Sequence, residues 1–291
     1  MGLRDLLLNR LRETYLNEDQ ISAVLKLIEK CERSDEIASK FLLISDNIEF
    51  NTRLHLMIHI VEIYGDTIYI ANLLDFIINS KNYYGVYDFL SNSAVREKVQ
   101  SDTEYILRGV QLIANIDNVE YKEYCALTTL IDPYVMQAGI EYATKVIEAL
   151  NYSSQPKAYD IMQFAIDASV LGAEKQYVYD GLITMLSAQT SFESYYIRLF
   201  LTNYSMIKTG IDYAIPGAEL LARVEEGKEF QLTFIFAFLA RHSVEADRPR
   251  ILQMARRFLD ANNFEEANNI FGELEEEVFL MELVSSKRNY R

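Results

Sequence analysis

Two imidazoles and a carboxylate occur close together in one stretch of the sequence, at His55, His59 and Glu62. In a helix these residues fall at positions i, i+4 and i+7 and share one face, which is a possible metal-ligand arrangement. It is not the HExxH motif of zinc proteases, because Leu56 occupies the position of the general-base glutamate. The same three residues could simply be the polar stripe of an apolar helix, and the sequence identifies no further ligand. We therefore predict no metal site and no cofactor.

The sequence offers little else for catalysis. His242 follows an apolar segment that ends at Ala240, where a cation complements a helix dipole. Cys31 and Cys125 lie far apart and outside any CxxC or Cys/His cluster, which predicts neither a disulfide framework nor structural zinc. No GxxxxGK[ST] or GxGxxG phosphate loop occurs, and the paired carboxylates are those expected on the solvated faces of an acidic chain. We predict that the protein is not an enzyme.

Composition and charge limit the partners. Half of the chain is apolar and 24% is charged, as in folded globular proteins. The net charge of -15 repels phosphate backbones, so we expect no nucleic acid and a partner with a basic surface. The first residues do not resemble a signal peptide, and the longest apolar run is about half of the ~20 residues that a membrane helix needs. These features predict a cytoplasmic protein in a reducing compartment, with no membrane contact.

Apolar residues recur at three- and four-residue spacing, as in Ile21, Val24, Leu25 and Ile28, which predicts helical structure. Any functional site must therefore be positioned by helices. The sequence predicts an all-α fold of about sixteen helices, stacked as antiparallel pairs in an α-solenoid or superhelical array. The predicted helices begin near residues 3, 18, 35, 51, 67, 84, 102, 118, 133, 156, 174, 191, 216, 228, 248 and 264. Taken as pairs, they start roughly 31 to 42 residues apart, close to the periods of helical-hairpin repeats.

Helix ends are marked by capping residues. Asp132-Pro133 predicts an N-cap followed by proline at the first helical position. Further N-caps are predicted at Asp102, Thr190, Asp247 and Asn263. Left-handed C-caps are predicted at Gly65, Gly172 and Gly210.

One C-terminal stretch resembles a tetratricopeptide repeat. Its packing positions are matched by Ile251, Met254, Ala255, Phe258, Asn262, Phe264, Ala267, Phe271 and Leu274, within residues 248–276. Asn262 and Ile251 replace the glycine and tryptophan common in that family, and no proline closes the unit. The resemblance implies a superhelix of helix pairs with a concave surface for protein partners and no intrinsic catalysis.

Two residue classes could form a binding surface. The tyrosines Tyr83, Tyr84 and Tyr87 lie around a predicted turn and are our candidate partner-binding residues, whereas part of the Tyr195-Tyr196 cluster is expected in the core.

A basic cluster could bind an acidic or phosphorylated ligand, but we favour pairing of its helical arginines with the acidic residues that follow. The basic residues are Arg241, Arg248, Arg250, Arg256, Arg257, Lys287, Arg288 and Arg291, and the acidic ones Glu265, Glu266 and Glu273 to Glu277.

Residues 1–291 are predicted to form one continuous helical array, with possible bends or boundaries near 151–156 and 210–217. The leading hypothesis is a non-enzymatic protein-protein interaction module, an adaptor or assembly chaperone that presents an acidic, tyrosine-bearing surface. One alternative is a structural subunit of a larger homo- or hetero-oligomeric assembly, viral or cellular. Another is a metal-dependent helical enzyme that uses His55, His59 and Glu62.

Overall fold

The computed structural model describes residues 2–31, 33–43, 50–65, 70–98, 102–116, 120–243 and 247–288. All regular structure in these ranges is helical, which confirms the predicted all-α class. Internal contacts divide the chain into two compact units, residues 1–147 and 148–291. Within the described ranges, no helix is both long enough and apolar enough to cross a membrane.

The first unit is built from helices of 6 to 15 residues. They are α1 (Leu3–Arg12), α2 (Glu18–Glu29), α3 (Ser34–Leu42), α4 (Phe50–Tyr64), α5 (Ile70–Asn79), α6 (Tyr83–Ser91), α7 (Ser93–Lys98), α8 (Thr103–Ala114), α9 (Glu120–Ile131), α10 (Pro133–Ala138) and α11 (Ile140–Tyr152), the last of which runs past the division.

Packing in the first unit follows the order of the chain. The helices α1, α3, α5 and α8 form one series in which each contacts the next, and α2, α4, α6 and α9 form a second. Apolar stripes hold the two series together, as in α8, where Ile106, Val110 and Ile113 are buried at helical spacing. The stripe of α2 that the sequence predicts is likewise buried.

The second unit has the same kind of organisation. Its helices are α12 (Gln155–Ala165), α13 (Ala168–Leu171), α14 (Lys175–Ser187), α15 (Ser191–Leu201), α16 (Tyr204–Thr209), α17 (Ile211–Leu221), α18 (Phe230–Arg241), α19 (Arg248–Ala255), a 3-10 turn (Arg256–Asp260) and α20 (Phe264–Arg288). Here α12, α15 and α18 contact one another in order, and α14, α17 and α19 form the second series.

Most predicted helix starts agree with the structure, but the count does not. The predictions missed α7, α13 and α16, and they merged α10 with α11, because helices of four to six residues have too few positions to show a 3.6-residue period. The predicted N-caps at Asp102, Asp132, Thr190, Asp247 and Asn263 are confirmed by their hydrogen bonds.

Of the three glycines predicted as left-handed C-caps, Gly210 has a positive φ, 79°, at the end of α16. Three other boundary predictions are wrong. Gly172 is not left-handed, because its φ is -80°. Gly65 is not left-handed either. The helix predicted to start near residue 216 begins at Ile211, and Pro216 lies inside it.

In the part of the chain that the structure describes, a helix of four to six residues follows the end of a longer one in four places, each time after an aspartate or asparagine. Asn92, Asp132, Asp167 and Asn203 each accept a hydrogen bond from the backbone amide two residues later, at 2.9 to 3.0 Å. The side chain satisfies an amide that the new helix leaves unpaired, so the chain can end one helix and begin the next without a long loop. We call these four residues the junction residues.

Four buried tyrosines donate their hydroxyls to backbone carbonyls near the C-terminal ends of other helices. Tyr105, Tyr177 and Tyr213 are the third residues of α8, α14 and α17, and Tyr64 ends α4. Their acceptors are the carbonyls of Leu130, Leu201, Leu239 and Leu90, respectively, at 2.6 to 2.9 Å. We call Tyr64, Tyr105, Tyr177 and Tyr213 the buried tyrosines. Each ties together elements that are 24 to 26 residues apart in sequence.

A glycine one turn after three of these tyrosines faces a phenylalanine from the preceding helix pair. A Cβ on Gly109 or Gly181 would lie 2.6 Å from Cζ of Phe89 or Phe164, respectively, and a Cβ on Gly217 would lie 2.8 Å from Cζ of Phe200. These glycines therefore allow α8, α14 and α17 to approach the phenylalanine rings closely, as dense packing of the core requires.

Candidate functional site

The predicted tyrosine cluster is only partly exposed. Tyr83 begins α6 and is 6% exposed, with the guanidinium of Arg53 4.1 Å from its ring centroid. The ring of Tyr84 lies 4.6 Å from that of Tyr83 and faces outward. The Tyr87 hydroxyl is 2.5 Å from Nδ1 of His59. Of the three predicted residues, Tyr84 is the one available to a partner.

The three predicted ligand residues of α4 have different surroundings. His59 is half-buried against Tyr87, with ring centroids 5.4 Å apart, whereas His55 and Glu62 are exposed. Among the residues that the structure describes, no group of three His, Cys, Asp or Glu side chains could hold a metal ion. The buried Cys125 is no better placed for chemistry, because burial raises the pKa of its thiol to about 11.

Four exposed tyrosines occupy the same position relative to the junction residues. Each lies eight residues before its junction residue, on α6, α9, α12 or α15. They are Tyr84, Tyr124, Tyr159 and Tyr195, which are 53%, 56%, 42% and 42% exposed. We call them the exposed tyrosines. Of this set, the sequence analysis named Tyr84 alone as a partner-binding candidate, and the spacing from an aspartate or asparagine was the signal that could have found the other three.

Helix geometry places these tyrosines outside. Two residues after each one comes an apolar side chain that is buried in the described structure, namely Val86, Ala126, Ile161 or Ile197. Two positions on a helix are about 200° apart around the axis, so burial of the second residue turns the first one outward. The tyrosines are exposed as a consequence of the same packing that buries the core.

An aromatic cluster in the second unit includes the exposed Tyr195 and is centred on its half-buried neighbour Tyr196. The Tyr196 ring lies 5.3 Å from Phe192, 5.8 Å from Tyr195 and 6.2 Å from Phe236 of α18. Its hydroxyl is 3.1 Å from the Thr233 hydroxyl. Phe192 and Tyr195 are both exposed, so this part of the cluster belongs to the surface and not to the core. We call Phe192, Tyr195, Tyr196 and Phe236 the aromatic cluster.

A part-buried ion pair between Arg198 and Asp160 lies next to Tyr195. Nε of Arg198 donates to Oδ1 of Asp160 at 2.9 Å, and its guanidinium lies 5.2 Å from the Tyr195 ring centroid. Burial raises the pKa of Asp160, and the hydrogen bond and charge of Arg198 partly offset that rise. The pair joins α12 to α15 beside the tyrosine ring.

The C-terminal basic cluster is largely committed to internal contacts. Arg257 pairs with Glu273 at 2.5 Å and with Glu277 at 2.7 Å, which confirms the predicted pairing for this arginine. Arg241 and His242 both contact Glu275, at 3.3 and 2.8 Å. Arg248 donates instead to the Thr209 carbonyl at 2.9 Å, and Arg250 and Arg256 are exposed. The side chains of Lys287, Arg288 and Arg291 lie outside the described residues.

A groove of about 800 Å³ lies between α5 and α8 in the first unit. Its walls include Asp75, Phe76, Glu104, Leu107 and Arg108, so both charge signs and apolar surface are present. Asp75 is already paired with Lys40 at 2.6 Å. The groove shows no convergent set of polar groups that would select one small molecule.

No protein-family model, curated protein or solved structure matches the chain. Its function is therefore inferred from its own residues.

Proposed function

We propose that the chain is a non-enzymatic protein-protein interaction module, an adaptor or assembly chaperone whose acidic, tyrosine-bearing helical surface binds a partner protein or peptide. The observation that carries the proposal is the recurrence of the exposed tyrosines at one position on four helices. Tyrosine offers a large, rigid contact with a polar tip and is enriched at binding hot spots. Each of these rings is at least 42% exposed and is therefore accessible to a partner.

The remaining parts of the proposal follow from charge and pattern. The net charge of -15 favours a partner with a basic surface over nucleic acid. We place the protein in the cytoplasm, without a membrane partner. We also propose a stacked array of helix pairs across residues 1–291, with residues 248–276 as a tetratricopeptide-like unit. The contacts between successive helices within each unit support such an array.

The experiment combines a mass in solution with partner capture. Light scattering gives the oligomeric state of the purified chain, and the whole chain then serves as bait in a native lysate. We expect a monomer that captures a defined partner. The Tyr84→Ala/Tyr124→Ala variant should lose that partner, whereas Tyr134→Ala, which removes an exposed tyrosine at another position, should keep it.

Two results would count against the proposal. Equal capture by both variants would show that the exposed tyrosines of the first unit do not bind the partner. A stable self-assembled oligomer with no captured partner would support the structural-subunit hypothesis instead.

A further inference from the structure

We propose that the groove between α5 and α8 in the first unit binds an amphipathic helix of a partner protein, with acidic residues in its first turn and basic residues in its last. The groove is a second interaction surface. The exposed tyrosines of the first unit lie on α6 and α9, which belong to the other series of helices. Binding in the groove therefore adds to the proposed function and does not depend on it.

Two cavities follow each other along this groove. The first, of about 800 Å³, is lined by side chains within residues 72–76 of α5 and 103–111 of α8. The second, of about 600 Å³, shares Phe76 as a wall and extends to Lys81. Earlier residues of both helices line the first cavity and later ones the second, so α5 and α8 run in the same direction. The lined part of α8, residues 103–114, is about 17 Å long, the length of a helix of about eleven residues.

The walls of the groove favour a helix over an extended segment. Backbone groups inside α5 and α8 bond within their own helices, so the walls offer none to an incoming chain. Phe76 and Leu107 are half-buried and give the first cavity an apolar surface. An extended segment would leave backbone groups unpaired against that surface, whereas a helix pairs its own. A helix also places apolar side chains at i, i+3, i+4 and i+7 along one face.

Charges at the two ends of the groove give the bound helix a direction. Glu104 is exposed at the start of α8, and no cation pairs with it in the described part of the chain. Lys81 is exposed at the opposite end, and among the described residues no carboxylate pairs with it. Helices favour acidic residues in the first turn and basic residues in the last. The bound helix therefore runs antiparallel to α5 and α8, with its acidic first turn at Lys81 and its basic last turn at Glu104.

The charged groups between these ends agree with that direction. The carboxylate of Asp75 is already paired with Nζ of Lys40 at 2.6 Å. Arg108 donates to Oε1 of Gln111 at 2.6 Å, which places its guanidinium towards the Lys81 end of the groove. The acidic turn of the bound helix therefore meets two cations, and the basic turn meets an unpaired carboxylate.

The test measures binding of synthetic peptides to the full chain by fluorescence anisotropy. The probe is a peptide of about 14 residues with glutamates in its first turn, leucines at i, i+3, i+4 and i+7, and arginines in its last turn. One control has the same composition with the leucines spread around the helix, and another has a proline in the middle of the probe. We expect the probe to bind about tenfold more tightly than either control.

Charge reversal on the chain tests the direction of binding. Glu104→Lys should weaken binding of the probe by about fivefold or more. A second probe, with glutamates in place of the arginines, should bind Glu104→Lys more tightly than it binds the native chain. Glu62→Lys is the matched control, because it makes the same charge change at an exposed position of α4, and it should leave both affinities nearly unchanged.

Equal affinity for the probe and the control with spread leucines would overturn the proposal, as would equal effects of Glu104→Lys and Glu62→Lys. Undiminished binding of the proline peptide would overturn it by showing that the occupant is extended. Self-association of the chain that Glu104→Lys abolishes would assign the groove to a second copy instead. Capture of the native partner through the exposed tyrosines is a separate measurement, so failure of the probe to bind would leave the proposed function standing.

Discussion

The interior junctions and the outer helix faces use the same residue type for different purposes. The buried tyrosines donate their hydroxyls to carbonyls near helix ends, at 2.6 to 2.9 Å. The exposed tyrosines lie on the outside of α6, α9, α12 and α15, with rings that the core does not cover. The first set stabilises the fold through buried hydrogen bonds, whereas the second leaves its rings accessible to a partner. Substitutions should separate the two sets.

The largest expected difference is between Tyr177→Ala and Tyr195→Ala. Tyr177 is buried and hydrogen-bonded to the Leu201 carbonyl, so its truncation removes an aromatic ring from the core. We expect the free energy of unfolding to fall by about 3 to 5 kcal/mol. Tyr195→Ala should change it by about 1 kcal/mol or less, because the ring is a surface group. Urea denaturation monitored by circular dichroism measures the free energy of unfolding of both variants. Similar losses would contradict the distinction between the buried and the exposed tyrosines.

The next largest difference is between Gly181→Ala and Gly272→Ala, which should change the free energy of unfolding in opposite directions. Gly181→Ala places a Cβ 2.6 Å from Cζ of Phe164, so we expect a loss of about 1 to 3 kcal/mol. A Cβ on Gly272 of α20 would meet nothing within 4 Å, and Gly272→Ala should stabilise by up to about 1 kcal/mol through helix propensity. Thermal denaturation of both variants checks the signs. An increase in stability for Gly181→Ala would contradict this expectation, because it would show that the Phe164 ring can move away at little cost in free energy.

Removal of the Tyr177 hydroxyl alone should have a smaller effect on the free energy of unfolding. Tyr177→Phe leaves the Leu201 carbonyl without this donor, so we expect a loss of about 1 to 2 kcal/mol near neutral pH. Tyr195→Phe is the matched control and should be nearly neutral. Denaturant unfolding at pH 7 distinguishes the two, and an equal response from both would contradict a role for the buried hydrogen bond.

The effect of the Tyr177→Phe substitution should depend on pH in the alkaline range. Burial raises the pKa of Tyr177, so its contribution to stability is complete below the unfolded-state pKa of about 10 and is lost as pH rises towards the folded-state pKa. At about pH 11 this loss amounts to about 1.4 kcal/mol in the native chain and is absent from Tyr177→Phe. The stability gap between the two chains should therefore narrow between about pH 9 and pH 11. A constant gap would argue against the buried hydroxyl.

Local chemistry made much of the fold predictable. Capping side chains act over two or three residues, so Asp102, Asp132 and Thr190 mark helix starts in the sequence itself. The buried tyrosines could not be assigned in this way, because their acceptors lie 24 to 26 residues away. Whether a given tyrosine finds such a carbonyl depends on helix packing, which the sequence does not display.

The candidate site was predicted less well for a related reason. Adjacent tyrosines were treated as one cluster, yet neighbours on a helix are about 100° apart around the axis. Tyr83 and Tyr84 accordingly differ, with one buried and the other exposed. Counting from Asn92, Asp132, Asp167 and Asn203 instead of grouping neighbours would have selected the exposed tyrosines.

The most direct test of the interaction proposal is capture of the native partner by a chain in which Tyr84, Tyr124, Tyr159 and Tyr195 are all changed to alanine. We predict that this variant keeps the helical circular-dichroism spectrum of the native chain and no longer captures the partner. Undiminished capture by the folded variant would contradict the assignment of the exposed tyrosines to binding.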